Sequence, residues 1–147
     1  HKYNQIYTSE QAFFDDLEQM NSLIKAQTGN DASIIRFPGG SSNTVSKDYC
    51  PGIMTQLVND VTARGLLYCD WNVSSGDANS KPISTEQVVQ NVISGVQSHN
   101  VSVVLQHDIK DFSVNAVEQI IQWGQANGYT FLPLTTSSPM SHHRVNN

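Results

Sequence analysis

The residues best suited to acid–base chemistry stand where short apolar runs end. Residues 103–112 read VVLQHDIKDF, so His107 and Asp108 directly follow an apolar segment. RFPGGSSN brings Arg36 to a second such end, and YCDWN brings Asp70 to a third. Histidine, with a reference pKa of about 6.5, can act as a general acid when a nearby carboxylate favours its charged form. We therefore interpret His107 as a candidate proton donor and Asp70 as its candidate partner.

The segment around Arg36 has features that suit ligand contact. Pro38 has a fixed φ and restricts the residue before it, which makes this strand end stiff. A guanidinium held there can form a bidentate pair with a carboxylate, and a free N–H in the following glycine turn can donate to an oxyanion. Ordinary alternatives stay open, since Arg36 could form a surface salt bridge and His107 could simply hydrogen-bond at a strand end.

Four helical patterns alternate with four apolar runs and would position these residues. The helices are predicted to start near Ser9, Pro51, Ser84 and Ser113, and the strands are SIIRF, LLYCDW, VSVVLQ and YTFLPL. Ser84 and Gln87 have the spacing of a capping box. Alternating helices and strands predict a parallel sheet, whose carboxyl-terminal edge is where such folds place their chemistry. Arg36, Asp70 and His107 are thus expected in one pocket.

The predicted fold class is α/β. A closed β/α barrel has eight repeats and takes roughly 200 residues or more, whereas four units fill this chain of 147 residues. The sheet is therefore expected to be either open or an incomplete, irregular barrel. Residues 1–147 show no break in composition and are predicted to form a single domain.

Composition excludes several classes of function. The net charge of −5 argues against a general nucleic-acid binder, and no apolar run is long enough to cross a bilayer. The chain has no G-x-S-x-G motif of an α/β-type serine hydrolase. Cys50 and Cys69 lack metal-ligand spacing and either form a disulfide or remain two thiols. His142 and His143 lie in a polar tail, where we expect them to be solvated.

Three segments resemble, in order, known motifs of one family. RFPGGSSN, YCDWN and VVLQHD are similar to the third, fourth and fifth motifs of the polysaccharide deacetylase family, also called the NodB-homology domain. The opening HKYNQIYTSEQAF resembles the segment that begins at the second histidine of the family's metal motif. The tail SSPMSHHRVNN resembles the end of several bacterial members. The resemblance covers nearly the whole chain.

The resemblance implies an irregular β/α barrel that removes acetyl groups from polysaccharides such as peptidoglycan, chitin or acetylxylan, with a divalent metal, usually zinc or cobalt. It also implies a role for each matching residue. His1 matches a metal ligand, Arg36 the residue that orients the catalytic aspartate, and Gly39 an oxyanion donor. Asp70 matches the residue that tunes the acid, and His107 the general acid itself. Trp71 and Leu105 match apolar walls around the acetyl methyl.

The chain departs from the family pattern in two ways. Gly39 stands where many members have tyrosine, and the motifs that supply the catalytic base, the metal aspartate and the first metal histidine are not found. We therefore expect the chain to begin after those motifs, to bind metal weakly and to be inactive by itself. Missing strands would leave an unpaired sheet edge that favours self-association.

The predicted setting is outside a bacterial cell or on its surface, acting on a polysaccharide substrate. Two other functions stay open. One is a catalytically inactive carbohydrate-binding module on the same scaffold. The other is an unrelated α/β domain that binds a ligand or has a regulatory role.

Overall fold

A computed structural model describes all residues from 1 to 147 and divides them into two compact units. Unit 1 comprises His1–Asp70 and Thr135–Asn147, and unit 2 comprises Trp71–Leu134. Each unit contains one strand–helix–strand motif with parallel strands. The single domain expected over 1–147 stays a prediction.

Unit 1 begins with helices whose ends follow local signals. Its elements are α1 (Tyr3–Ile6), α2 (Glu10–Thr28), β1 (Ile34–Ile35), a 3-10 turn (Ser46–Asp48), α3 (Ile53–Ala63) and β2 (Leu67–Tyr68). The Ala12 amide donates to the Ser9 hydroxyl at 3.1 Å, which confirms the predicted N-cap of α2. α2 ends at Gly29, whose φ of 77° is the left-handed conformation that glycine adopts without strain.

The core of unit 1 is aromatic at its centre. The Phe13 ring stacks on Tyr7 with centroids 6.1 Å apart and meets Phe37 at 5.5 Å, and all three residues are buried. Aliphatic residues of α3 complete this core, namely Ile53, Met54, Leu57 and Val61. Because Phe37 directly follows Arg36, its burial anchors the start of the loop after β1.

Unit 2 has a smaller core built on the middle of its long helix. Its elements are β3 (Val73–Ser74), α4 (Thr85–Gln97), β4 (Val104–Leu105), α5 (Asp111–Val114) and α6 (Val117–Ala126). Its buried cluster consists of Val88, Val89, Val92, Ala116 and Ile120. The Gln87 amide donates to the Ser84 hydroxyl at 3.2 Å, but the Gln87 side chain donates to Asn91 instead of completing a capping box.

The strands confirm an α/β fold with parallel pairing. β1 pairs with β2, with Ile34 opposite Leu67, and β3 pairs with β4, with Val73 opposite Val104. Each pair is two residues long and forms a separate two-stranded sheet. The incomplete barrel stays a prediction, as does self-association through a sheet edge.

One expected strand is absent, and one strand that was not expected is present. The segment 129–134 (YTFLPL) forms no strand, and the side chains of Phe131, Leu132 and Leu134 are exposed. A strand requires a neighbour to bind its backbone N–H and C=O groups, and no segment of the chain pairs with this one. Conversely, Val73–Ser74 forms β3, which lies beyond the predicted strand LLYCDW.

Ser113 does not cap the last helix as predicted. α6 begins at Val117 after Ala116, with no side-chain cap, whereas Ser113 is buried within α5. The Ser113 hydroxyl instead donates to Asp77 Oδ2 at 2.6 Å. A buried carboxylate is the stronger acceptor, so the serine hydroxyl binds it in place of a helix terminus.

The fold also shows the state of the two cysteines and the character of the helices. Cys50 and Cys69 are both free thiols. None of the helices combines the length and the apolar character that crossing a membrane requires.

Candidate functional site

His107 follows β4 by two residues, and its ring contacts a buried carboxylate of unit 2. His107 Nδ1 lies 2.8 Å from Asp77 Oδ1, and the His107 amide donates to Asp77 Oδ2 at 2.7 Å. One carboxylate therefore holds both the backbone and the ring of one histidine. The Asp77 side chain is 1% exposed and the His107 side chain is 29% exposed. The carboxylate is therefore shielded from solvent, whereas part of the ring is accessible to it.

Hydrogen bonds keep Asp77 ionised despite its burial. Burial by itself would raise the Asp77 pKa, but hydrogen bonds from the Ser113 hydroxyl and from the ring and amide of His107 outweigh it and lower the pKa to about 2. The Lys110 ammonium donates to the backbone carbonyl of the same residue. Asp77 is therefore an anion at neutral pH.

The charge of Asp77 decides which nitrogen of His107 carries a fixed proton. An ionised carboxylate only accepts hydrogen bonds, so the proton between Asp77 Oδ1 and His107 Nδ1 belongs to the ring. Nε2 is then the ring nitrogen that is left to exchange a proton with a ligand. A ring oriented in this way can deliver a proton to a reacting group or remove one from it.

The carboxylate that contacts the His107 ring is that of Asp77. The sequence reading expected Asp70 as the partner of His107, and the observed contact corrects it. Asp77 follows β3 by three residues, and that strand is itself not predicted. The available signal was the segment NVSSGD, in which a short strand is followed by a glycine turn and an acid.

Asp70 is buried in unit 1, where it joins the loop after β1 to the C-terminal tail. Its Oδ1 accepts from the Ser41 amide at 2.8 Å, and its Oδ2 accepts from the Ser41 hydroxyl at 2.5 Å and from the His143 amide at 2.9 Å. The Asp70 amide donates to the Ser141 carbonyl at 2.7 Å. Through these hydrogen bonds, Asp70 links two segments that lack regular secondary structure.

Both tail histidines make contacts within unit 1, although His142 is exposed, as expected, and His143 is partly buried. The His142 ring stacks on Tyr68 with centroids 4.0 Å apart, and its Nε2 lies 2.9 Å from the Tyr68 carbonyl oxygen. His143 Nδ1 lies 3.0 Å from the Ser42 hydroxyl oxygen. The tail, which contains no helix or strand, is thereby attached to β2 and to the loop after β1.

The loop after β1 contains a tight turn centred on Pro38 and Gly39. The Gly40 amide donates to the Phe37 carbonyl at 2.7 Å, and the φ of +79° at Gly39 suits the third position of a type II turn. A Cβ on Gly39 would lie 2.8 Å from the Tyr3 hydroxyl oxygen. The Gly39 N–H makes no hydrogen bond within the chain, which leaves it available to a ligand.

Tyr7 supports the same loop from the core. Its hydroxyl donates to the Pro38 carbonyl at 2.7 Å. Burial, together with the neighbouring Tyr3, raises the Tyr7 pKa well above its usual range, although the charge of Arg36 partly opposes this. Tyr7 therefore stays protonated and keeps donating to the loop. Arg36 is exposed and directly follows β1.

The other predicted residues are distributed over both units. Leu105 lies in β4 opposite Ser74, and Trp71 is partly buried at the start of unit 2. Arg36 and Asp70 belong to unit 1 and His107 to unit 2. Their meeting in one pocket stays a prediction.

His1 is the residue that the resemblance implies as a metal ligand. Its ring contacts the Asp16 carboxylate. Catalytic zinc sites commonly use three protein ligands, and the chain brings no three His, Cys, Asp or Glu residues together. The residues of this chain therefore do not by themselves form the donor set that the resemblance implies.

Comparisons with known proteins agree with the motif resemblance. No family model matches the chain. A curated peptidoglycan-N-acetylglucosamine deacetylase of Bacillus cereus is 28% identical over 135 residues, which cover 89% of this chain. The chain spans only 46% of the length of that relative.

Solved structures extend the likeness to the backbone. The catalytic domain of a peptidoglycan N-acetylglucosamine deacetylase from Eubacterium rectale is 98% identical, with a TM-score of 0.99, and matches all of this chain and 67% of its own. A polysaccharide deacetylase from Bacillus cereus is 28% identical, with a TM-score of 0.76, over 99% of this chain and 66% of its own. This chain therefore belongs to the polysaccharide deacetylase family of hydrolases.

Proposed function

We propose that this chain provides the proton-donating part of a deacetylase site that acts on N-acetylglucosamine in peptidoglycan. The observation that carries the proposal is the His107–Asp77 pair, in which a buried anion fixes a partly exposed imidazole. The names of the relatives from Eubacterium rectale and Bacillus cereus support the substrate class. Because peptidoglycan lies outside the cell membrane, the proposed place of action is extracellular or at the cell surface.

The proposed reaction uses His107 as a general acid. When the C–N bond of the acetamide breaks, the departing sugar nitrogen needs a proton, and the imidazolium donates it from Nε2. The neutral ring then regains a proton from solvent. Asp77 accepts a hydrogen bond from Nδ1–H and thereby holds the ring in one orientation during the transfer.

Other residues have proposed supporting roles. The Gly39 N–H stabilises the negative oxygen of the tetrahedral intermediate, and its lack of a partner within the chain supports this role. Asp70 contributes indirectly, since its bonds to Ser41 hold the loop that carries Gly39. The remaining proposed roles are orientation of the catalytic aspartate for Arg36 and contact with the acetyl methyl for Trp71 and Leu105.

The metal is a separate part of the proposal. His1 stays a proposed ligand of a divalent ion, which the family resemblance implies to be zinc, although the chain brings no three suitable donors together. We therefore assign no step to the metal in this chain. By itself the chain is proposed to bind metal weakly and to lack turnover.

The competing function is a catalytically inactive carbohydrate-binding module on the same scaffold. The incomplete donor set is the observation that favours it. The two functions differ in what happens to a bound sugar. A deacetylase releases acetate, whereas a binding module returns the sugar unchanged.

Acetate release tests the proposal. The substrates are N-acetylglucosamine oligomers and peptidoglycan, and the proteins are the 147-residue chain and a version extended to the length of the solved Eubacterium rectale domain. We expect the longer protein to release acetate and the shorter one not to. In the longer protein, His107→Ala should lower kcat by about 100-fold or more, because the departing amine loses its proton donor.

His99→Ala is the matched control, since His99 is an exposed histidine whose Nδ1 contacts only the Gly95 carbonyl, at 2.8 Å. It should retain wild-type turnover. Full activity of the His107→Ala protein would contradict the proposed role. Sugar binding without acetate release by the longer protein would favour the binding module.

A further inference from the structure

The Asp77 carboxylate receives hydrogen bonds from three donors, and two of them belong to His107. The third is the Ser113 hydroxyl, at 2.6 Å from Oδ2. We infer that Ser113 is a positioning residue, whose hydroxyl holds the Asp77 carboxylate in the orientation that binds the His107 ring. Its relevance to catalysis rests on the proposed function, but the positioning itself does not.

The geometry explains why the third donor matters. A carboxylate can rotate about its Cβ–Cγ bond, and the His107 ring can turn towards solvent because it is partly exposed. The Ser113 hydroxyl comes from a different element, α5, and is fully buried. It therefore fixes Oδ2 independently of His107 and leaves Oδ1 directed at Nδ1.

Ser113 is itself held in place by its neighbours. The Gln106 side chain donates to the Ser113 carbonyl at 2.6 Å, and the Ser113 amide donates to the Lys110 carbonyl at 2.9 Å. The segment 106–113 thus closes around Asp77, with contacts from His107, Lys110 and Ser113. A hydroxyl anchored by its own backbone is suited to orient another side chain.

The expected consequence concerns the tautomer of the neutral His107 ring. With Oδ1 fixed, the proton stays on Nδ1 and Nε2 is unprotonated. Without Ser113, the carboxylate can turn and the neutral ring can populate both tautomers. Proton transfer at Nε2 would then be slower, whereas substrate binding would change little.

The test reads the ring nitrogens directly. The 15N shifts of His107, measured in the 147-residue chain at a pH where the ring is neutral, should show Nδ1–H in the wild type. In Ser113→Ala the two shifts should approach each other, and in Ser113→Thr, which retains a hydroxyl, they should stay as in the wild type. Ser113→Cys, a similarly sized and weaker donor, replaces the alanine variant if that variant does not fold.

Ser46→Ala is the matched control. Ser46 is as fully buried as Ser113, but its hydroxyl has no hydrogen-bond partner, so its loss should leave the His107 shifts unchanged. An unchanged Nδ1–H tautomer in Ser113→Ala would overturn the inference, as would mixed tautomers in Ser113→Thr.

A kinetic measurement adds a second readout in the longer protein. Ser113→Ala should lower kcat roughly tenfold and leave KM near the wild-type value, as expected for loss of a group that orients a reacting side chain. An equal rise in KM with no change in kcat would contradict positioning. If no form of the protein releases acetate, the proposed function fails, while the tautomer result still decides the role of Ser113.

Discussion

Asp70 in unit 1 and Asp77 in unit 2 invite comparison because each is a buried aspartate that follows a short parallel strand. Both are 2% exposed, and each carboxylate accepts three hydrogen bonds, one of them from a serine hydroxyl. The difference lies in the remaining donors. Asp70 binds two backbone amides, whereas Asp77 binds one amide and an imidazole nitrogen.

This difference separates a structural carboxylate from one that is suited to chemistry. The donors on Asp70 do not titrate near neutral pH, so the residue ties the tail to the loop after β1. Asp77 orients a ring whose free nitrogen can exchange a proton. Burial and the number of hydrogen bonds therefore do not distinguish the two aspartates, but the chemical type of their partners does.

The largest effect on stability is expected at Asp70. Asp70→Asn places an NH2 group against donors and should cost about 3 kcal/mol of unfolding free energy. The cost should exceed that at Asp77 because the tail residues 135–147 have no helix or strand to retain them. Urea unfolding measures the loss, and hydrogen exchange should show the tail released. Asp48→Asn, at an exposed position, is the control.

The comparison would break if Asp70→Asn also changed the 15N shifts of the His107 ring. We expect those shifts to stay as in the wild type. Equal stability of Asp70→Asn and Asp48→Asn would show that Asp70 is not a structural tie.

A smaller, pH-dependent effect is expected at Asp77. Its folded-state pKa of about 2 lies below the ordinary value of 3.8, so the folded state binds fewer protons and gains stability as pH rises through this window. The contribution is about 2 kcal/mol at neutral pH and is lost as pH falls from about 4 to 2. Asp77→Asn should therefore be less stable than the wild type at pH 7, with the difference shrinking in acid.

Urea unfolding at several pH values measures this difference, and Asp108→Asn provides an exposed control next to His107 in the sequence. A gap between wild type and Asp77→Asn that stays constant from pH 7 to pH 2 would contradict the lowered pKa.

The smallest effects concern one glycine near each carboxylate: Gly39 lies in the loop that binds Asp70 through Ser41, and Gly76 directly precedes Asp77. Gly39 and Gly76 have φ values of 79° and 77°, so alanine at either position should cost about 1 kcal/mol in backbone strain. A Cβ on Gly76 would also lie 2.7 Å from Asn91 Nδ2, next to Asp77. Gly76→Ala should therefore disturb the His107 ring shifts, and Gly39→Ala should not.

Gly52→Ala is the control for strain alone, since Gly52 has a φ of 84° and open space at its Cβ position. Thermal unfolding compares the three variants. If Gly39→Ala and Gly76→Ala changed the 15N shifts of His107 equally, the loop before Asp77 would have no special role in holding the His107 ring.

Much of the fold follows from local signals that can be read in the sequence. Ser9 and Ser84 begin helices, Gly29 ends one, and His107 lies just beyond a strand, all as predicted. These features depend on neighbours within a few residues. A hydroxyl can bind the amide three residues later, and a glycine can adopt a positive φ, wherever the rest of the chain lies.

The failures have a common cause in longer-range contacts. Residues 129–134 have a suitable composition for a strand but no partner segment, so their backbone remains unpaired by any strand. Serine is a residue type that often caps helices, yet the Ser113 hydroxyl binds a carboxylate 36 positions away. Propensity describes what a segment can do, and the neighbours present in space select among those options.

Sequence patterns alone were sufficient for the family, the α/β class and the identification of His107 as the candidate acid. Only the folded chain could assign Asp77 to that histidine and Asp70 to the tail, because both aspartates are acids near a strand end. Hydrogen bonds between residues about 30 to 70 positions apart make the distinction, and no local pattern encodes such pairings.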